Sequence, residues 1–264
     1  MATLTMLASG SSGNACLIHD GAAHILLDAG ISCRRIAAAL SDDGCSLAEL
    51  SAVLITHSHS DHVSGLATLL RRCAAPVYAS LATANTLIET LPDLLPRLRV
   101  FYPGEGFEIN DLLVQSLPTS HDADGSVAYR IEGERFSFGA MTDTGIIPED
   151  AEGLFFGVHT LLLEANHDPV MLENGPYPYS LKRRVAGNFG HLSNETAARF
   201  AAGAEAAGTK QLILAHLSRE NNTPSRAAEV VSSALSGEAA LFVASQSEAM
   251  RFTLAEGASR LCRR

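Results

Sequence analysis

The chain has 264 residues, 47% of them hydrophobic, with 19 Lys and Arg against 29 Asp and Glu for a net charge of -10. That length and apolar content suit one large domain with a sizeable buried core. The acidic balance excludes a long nucleic-acid or membrane-binding surface and leaves room only for a local basic patch.

The opening MATLTMLASGSSGN lacks a basic region ahead of its short apolar run, and no stretch of about 18 uninterrupted apolar residues follows, so a cytoplasmic location without membrane association is expected. The runs TLTMLAS, ACLIHD and HILLDAG then predict three short strands in a meander, separated by the GSSGN loop and the Asp20-Gly21 turn. Beyond them strands and helices alternate. A helix is expected from about Cys33 to Leu40, a strand at AVLITH, a helix from about Val63 to Arg72, a strand at PVYAS and a helix through LATANTLIETL. The middle returns to strands at RVFY, LLVQSL, SVAYRIE and RFSFGAMTD. TLLLEAN and KQLILAH read as buried strands; Ser193 can cap a helix running to about Ala207, and Thr223-Pro224 starts another. ALFVAS and MRFTL close a sheet. Two blocks of strands, each followed by amphipathic helices, are satisfied by two sheets packed face to face with helices on both outer faces, a four-layer αβ/βα sandwich formed as one domain over 1–264. The cysteines Cys16, Cys33, Cys45, Cys73 and Cys262 are scattered and include no CxxC pair, which indicates neither a disulfide framework nor a thiolate zinc site.

Chemistry concentrates in THSHSDH, directly after the apolar AVLI. His57 and His59 lie two apart past a strand end, with Asp61 and His62 on the turn into the next helix. Imidazole nitrogens and carboxylate oxygens are the donors that zinc and similar divalent ions take, and a strand-to-helix loop can aim all four at one point. One loop cannot complete the coordination of two ions. Further donors stand just after other apolar runs: His121 in PTSHD, Asp143 in TDTG and His216 in LAHLS.

HSHSDH together with His121, Asp143 and His216 resembles the metallo-β-lactamase superfamily, over nearly the whole chain. The resemblance implies two divalent ions, zinc or manganese, with His57, His59 and His121 on one, Asp61, His62 and His216 on the other, and Asp143 bridging them. Asp28 in LLDAG matches an acidic motif whose carboxylate lies behind the site and orients the metal-binding loop; a capping or turn role is its alternative. A bridging carboxylate resembles the dinuclear hydrolases rather than true lactamases, and a hydroxide held between two metals is a nucleophile at neutral pH.

LASGSSGN, EANHD, NGPYPYSLKRRVAGNFGHLSN and AHLSRENNTP resemble the YycJ (WalJ) branch, whose members look like double-stranded DNA 5′-to-3′ exonucleases. The short interval between Asp143 and His216 leaves no room for the large inserted domain of the RNA-processing branch. The resemblance thus implies a metal-dependent phosphodiesterase acting on DNA, with Asp61 or Asp143 orienting the attacking water or accepting its proton. Ser11, Ser12 and Asn14 either form a hairpin turn or offer donors beside the metals. EANHD either ends a strand and caps a helix through Asn166 or Asp168, or its Glu164, Asn166 and His167 form a polar wall of the site. Lys182, Arg183 and Arg184 stand out in an acidic chain, and His191 precedes Ser193, where a helix N-terminus favours a phosphate. A glyoxalase II-like thioesterase and a non-catalytic metal-binding regulator are the alternatives, and the sequence leaves the oligomeric state open.

Overall fold

Strands β1 (Thr3–Ala8), β2 (Ala15–His19) and β3 (His24–Leu27) form the expected antiparallel meander in the computed structural model, which describes residues 2–254. Cys262 therefore lies outside the described residues. The chain crosses through helix α1 (Cys33–Asp42) to β4 (Ala52–Leu54), then through α2 (Ser60–Val63) and α3 (Leu66–Leu70) to β5 (Val77–Ser80). Helix α4 (Leu81–Thr90) leads to β6 (Leu98–Phe101), and β3 to β6 are mutually parallel. The second sheet begins with an antiparallel run, β7 (Gly106–Ile109), β8 (Leu112–Pro118), β9 (Val127–Gly133) and β10 (Phe136–Met141).

After α5 (Ala151–Phe155) the chain enters β11 (Thr160–Glu164), passes through α6 (Pro169–Asn174), α7 (Tyr179–Val185) and α8 (Asn194–Ala206) to β12 (Gln211–Ala215), and through α9 (Pro224–Ser232) to β13 (Ala240–Val243). Strands β10 to β13 are parallel. β14 (Met250–Thr253) then returns to the first sheet beside β1, so the last two strands close different sheets.

Period-two alternation assigns each strand's side chains to a layer. Ile25 and Leu27 enter the core between the sheets, whereas Leu26 between them faces the helices. Likewise Leu162 and Ile213 point inward, while Leu161, Leu163, Leu212 and Leu214 pack against Phe155, Ala197, Phe200 and Val231 of the outer helices. Because these strands are covered on both faces, they read as continuous apolar runs rather than alternating ones. The αβ/βα sandwich is thereby borne out.

The helix starts follow their caps: the Ser193 hydroxyl accepts from the Thr196 amide, and that of Thr223 from Arg226 with Pro224 in the first turn. Three local features depart from the sequence pattern. The helix expected over Val63–Arg72 is two short pieces, because Gly65 packs against the loop after β3, where a Cβ would stand 1.9 Å from the Ile31 carbonyl oxygen. β7 was not expected, its pattern of exposed and half-buried residues being that of a sheet edge. The stretch before Ser193 also holds the short helix α7, too brief for periodicity to mark, whereas α6 starts at Asp168, one of the caps that EANHD offers.

The same crowding occurs at Gly30, where a Cβ would lie 1.6 Å from the carbonyl oxygen of Asp61. Gly30→Ala must push backbone against backbone, an overpacking change that costs about 1–3 kcal/mol. A lowered thermal midpoint accompanied by weakened metal binding is expected; an unchanged midpoint in calorimetry contradicts this packing.

Candidate metal centre

Parallel pairing, and the two reversals between β8 and β10, put the carboxyl ends of β3, β4, β8, β10, β11 and β12 on one edge of the sandwich. That edge carries Asp28, His57, His59, Asp61, His62, His121, Asp143, Glu164 and His216, each at or just beyond a strand end. Asp28, Asp143 and His216 have positive φ, of 58°, 56° and 55°. Asp and His tolerate the left-handed region better than most residues, and such strain persists where the surroundings over-determine it.

The seven expected donors converge. His121 Nε2 is 3.3 Å from His59 Nδ1. The Asp143 Oδ1 atom lies 3.7 Å from His121 Nε2 and 3.5 Å from His216 Nε2, and its Oδ2 3.4 Å from His62 Nε2. Asp61 Oδ2 is 3.6 Å from His62 Nε2 and 3.4 Å from His216 Nε2. Donors placed about 2.1 Å from one tetrahedral cation are separated by about 3.4 Å, so this spacing admits a shared cation. The buried His57 Nε2 and Asp143 Oδ2 have no hydrogen-bond partner among the described residues. Two orphaned donors within a cluster of imidazoles and carboxylates fit a divalent metal.

Each ring is aimed by what holds its other nitrogen. His62 Nδ1 donates to Asp28 at 2.7 Å, and Asp28 is itself fixed by the amide and hydroxyl of Thr56. His121 Nδ1 donates to the Gly190 carbonyl at 3.2 Å and His216 Nδ1 to Glu164 at 3.1 Å. Glu164, fully buried, also accepts from His191 Nδ1 at 2.7 Å and from the amides of Thr144 and Leu192.

Burial opposes charge on His62, yet the carboxylates of Asp28 and Asp143 outweigh it and bring its pKa up to about 9. The same contest, settled mainly by Asp143, holds His216 well above the usual imidazole range. Asp143 and Glu164 go the other way: burial would raise them, but neighbouring imidazolium charge holds Asp143 well below the carboxylate range and Glu164 down to about 2. The cluster carries an excess of carboxylate that demands positive charge.

The remaining sequence candidates divide. Asn14 adjoins the centre, its amide nitrogen 3.0 Å from His62 Nε2 and 3.2 Å from Asp61 Oδ2. Asn166 donates to the His216 carbonyl at 2.8 Å. His191 stands 3.8 Å from Asp143 Oδ1. Ser11 and Ser12 are exposed on the loop between β1 and β2, and Ser12 accepts from Arg219 rather than touching the cluster. His167 is buried and turns to a separate pocket, where burial pushes its pKa down to about 4, while Asp168 caps α6. Arg184 pairs with Asp122 at 2.5 Å, and Arg183 lines the same pocket as His167. Sequence reading passed over Thr56, although it directly precedes His57, and Asp122, whose Oδ1 lies 3.5 Å from His121 Nε2.

The beta-lactamase superfamily domain model matches residues 23–217. Exodeoxyribonuclease YycJ of Bacillus anthracis is 34% identical over 232 residues, 88% of either chain. Exodeoxyribonuclease WalJ of Streptococcus pneumoniae is 34% identical over 223 residues, 83% of this chain and 82% of its own. Among solved structures, the metallo-beta-lactamase fold protein YhfI of Bacillus subtilis superposes with a TM-score of 0.71 at 16% identity, covering 95% of this chain and 99% of its own, a likeness of fold.

Two outcomes follow from the geometry. Asp143→Ala and His59→Ala should lower the metal content measured by elemental analysis, whereas Asp28→Asn should weaken metal affinity by about 10–100-fold without removing a donor; full metal content in Asp143→Ala contradicts its placement. A cation entering the site must displace protons from His62, whose pKa is about 9, and from His216. Metal affinity should therefore climb as pH rises from 6 toward about 9, and a pH-independent isotherm over that range contradicts the charge balance described.

Proposed function

The chain belongs to the beta-lactamase superfamily, and from that premise we propose that it is a dinuclear metal-dependent phosphodiesterase, a double-stranded DNA exonuclease working from 5′ to 3′. The observation that carries this reading is the coincidence of an intact set of seven donors with near-full-length similarity to exodeoxyribonucleases. A regulator that only binds metal would have no need of the partly exposed His191 beside the donors.

In this reading His57, His59 and His121 would hold one divalent ion and Asp61, His62 and His216 the other, with Asp143 available to both. Zinc and manganese both suit such a donor set. Bound there, the ions supply Lewis acidity that polarises a phosphodiester and makes water nucleophilic at neutral pH. The protein's own groups do the rest. Asp28, the Gly190 carbonyl and Glu164 hold Nδ1 of His62, His121 and His216, keeping each Nε2 directed inward. Asp61 or Asp143 orients the attacking water and accepts its proton. His191, tethered through Nδ1 to Glu164 and partly exposed, keeps its other nitrogen for the phosphate or the departing oxygen.

An acidic protein can hold DNA only through local contacts, and Arg183, Arg184 and the start of α8 offer them next to His191. Asn14 stands beside His62 and Asp61, and Asn166 beside His216.

Purified, metal-analysed protein offered 5′-phosphorylated duplex DNA, single-stranded DNA, RNA and a thioester should digest the duplex; preference for the thioester overturns the nuclease reading in favour of a glyoxalase II-like one. Arg183→Ala with Arg184→Ala should weaken duplex binding and flatten its salt dependence, since each lost phosphate contact removes about 0.9 from the slope of log affinity against log salt. His191→Ala should slow digestion of 5′-phosphorylated ends more than of 5′-hydroxyl ends. Parental kinetics in both variants would leave the patch without a role.

A further inference from the structure

Beside the metal centre, separated from it by the Asn166–Asp168 segment, lies a second concavity of about 420 Å³ between α6 and α7. Its walls are Pro169, Leu172 and Glu173 from one helix and Tyr179 and Ala186 from the other, and Lys182 and Arg183 stand at its margin, so that the one carboxylate of the lining faces two cations. Such a volume with mostly apolar walls and a few polar groups is that of a small-molecule site. His167 lines it as well. That residue is 3% exposed, and its Nδ1 is buried without a hydrogen-bond partner among the described residues. Buried imidazole nitrogens are ordinarily paired, so an orphan on a pocket wall points to a ligand that pairs it or reaches past it.

The other groups narrow the ligand's chemistry. Tyr179, a residue 75% exposed that lines the pocket, offers an aromatic ring on which a flat heterocycle can stack. The Lys182 ammonium is tied to the Glu173 carbonyl at 2.6 Å, bracing α7 against α6. Arg183 makes no ion pair among the described residues, unlike Arg184, which is engaged by Asp122. An apolar slot with a stacking ring, a neutral imidazole within it and a free guanidinium at the edge matches a base joined to a phosphate. In a chain of net charge -10 a free cation here is complementary to an anion that the rest of the surface repels.

We propose that the pocket between α6 and α7 is a nucleotide subsite, with a nucleobase stacked on Tyr179 and hydrogen-bonded by His167, and its phosphate on Arg183. This rests on the phosphodiesterase reading for its place in the reaction: the subsite would hold a nucleotide of the strand under digestion, next to the scissile bond. The binding itself stands on the pocket alone.

The test uses the metal-loaded protein and three probes: deoxyadenosine 5′-monophosphate, 2-deoxyribose 5-phosphate and deoxyadenosine, each titrated calorimetrically. Tyr179→Ala should weaken the mononucleotide and the nucleoside by about 5- to 150-fold, the range of base-on-aromatic stacking, while 2-deoxyribose 5-phosphate binds as before. Arg183→Ala should weaken both phosphorylated probes and spare the nucleoside. His167→Leu, which keeps the bulk, should weaken the two base-containing probes. On duplex DNA, Tyr179→Ala should raise KM more than it lowers kcat.

Mononucleotide affinity identical in the parent, Tyr179→Ala and Arg183→Ala would overturn the proposal, since the phosphate would then be held at the metals alone. If the parent digests DNA and these variants match it in KM, the subsite falls and the nuclease reading stands. If the parent leaves DNA intact yet binds the mononucleotide through Tyr179, the nuclease reading falls and the subsite stands.

Discussion

Asp28 and His62, 2.7 Å apart and both buried, form the contact on which the rest of the site depends. Seven candidate donors carried past the ends of four strands must present lone pairs to one small volume, and an imidazole held by neither nitrogen would turn to find hydrogen bonds elsewhere. Asp28 prevents this for His62, and through Thr56, whose hydroxyl lies 3.1 Å from His57 Nδ1, it braces the neighbouring ring as well. Glu164 repeats the arrangement on the opposite sheet for His216 and His191. A buried carboxylate is costly unless paired, and here the pairing partner is the ring it orients, so the desolvation penalty and the aim of the donor are settled by one contact.

The fold makes such contacts available by setting two parallel strand groups against each other with their carboxyl ends on one edge. The close crossing of backbones at Gly30 and Gly65 locks the loop after β3 onto the turn that carries Asp61 and His62. Backbone pairs reinforce it, with the Ala29 amide donating to the His62 carbonyl and the Asn14 amide to that of Asp61. Strained φ angles at Asp28, Asp143 and His216 turn three strands abruptly enough for the side chain just past each one to face the centre.

Much of this was legible in the sequence because it depends on local pattern. The strands covered on both faces appear as apolar runs, and the donors stand directly after them, so THSHSDH, His121, Asp143 and His216 could be found by position and chemistry. Features set by contacts remote in sequence were not legible. The break between α2 and α3 depends on a loop more than thirty positions earlier, and β7 takes its shape from an edge that no pattern marks. EANHD was open to two readings, and the structure draws on both: Glu164 and Asn166 hold His216, while Asp168 caps α6. The basic run looked uniform, yet Arg184 is engaged by Asp122 and Lys182 by a backbone carbonyl, a distinction that only tertiary packing makes.

In the proposed dinuclear reading, the carboxylate of Asp143 would lie between two cations. Anomalous diffraction from crystals of the metal-loaded protein, recorded above and below the absorption edge of the bound metal, tests it directly. Two anomalous peaks are predicted, one among His57, His59 and His121 and one among Asp61, His62 and His216, about 3.5–4 Å apart with Asp143 between them. A single peak, or a pair that leaves Asp143 uncoordinated, would contradict it.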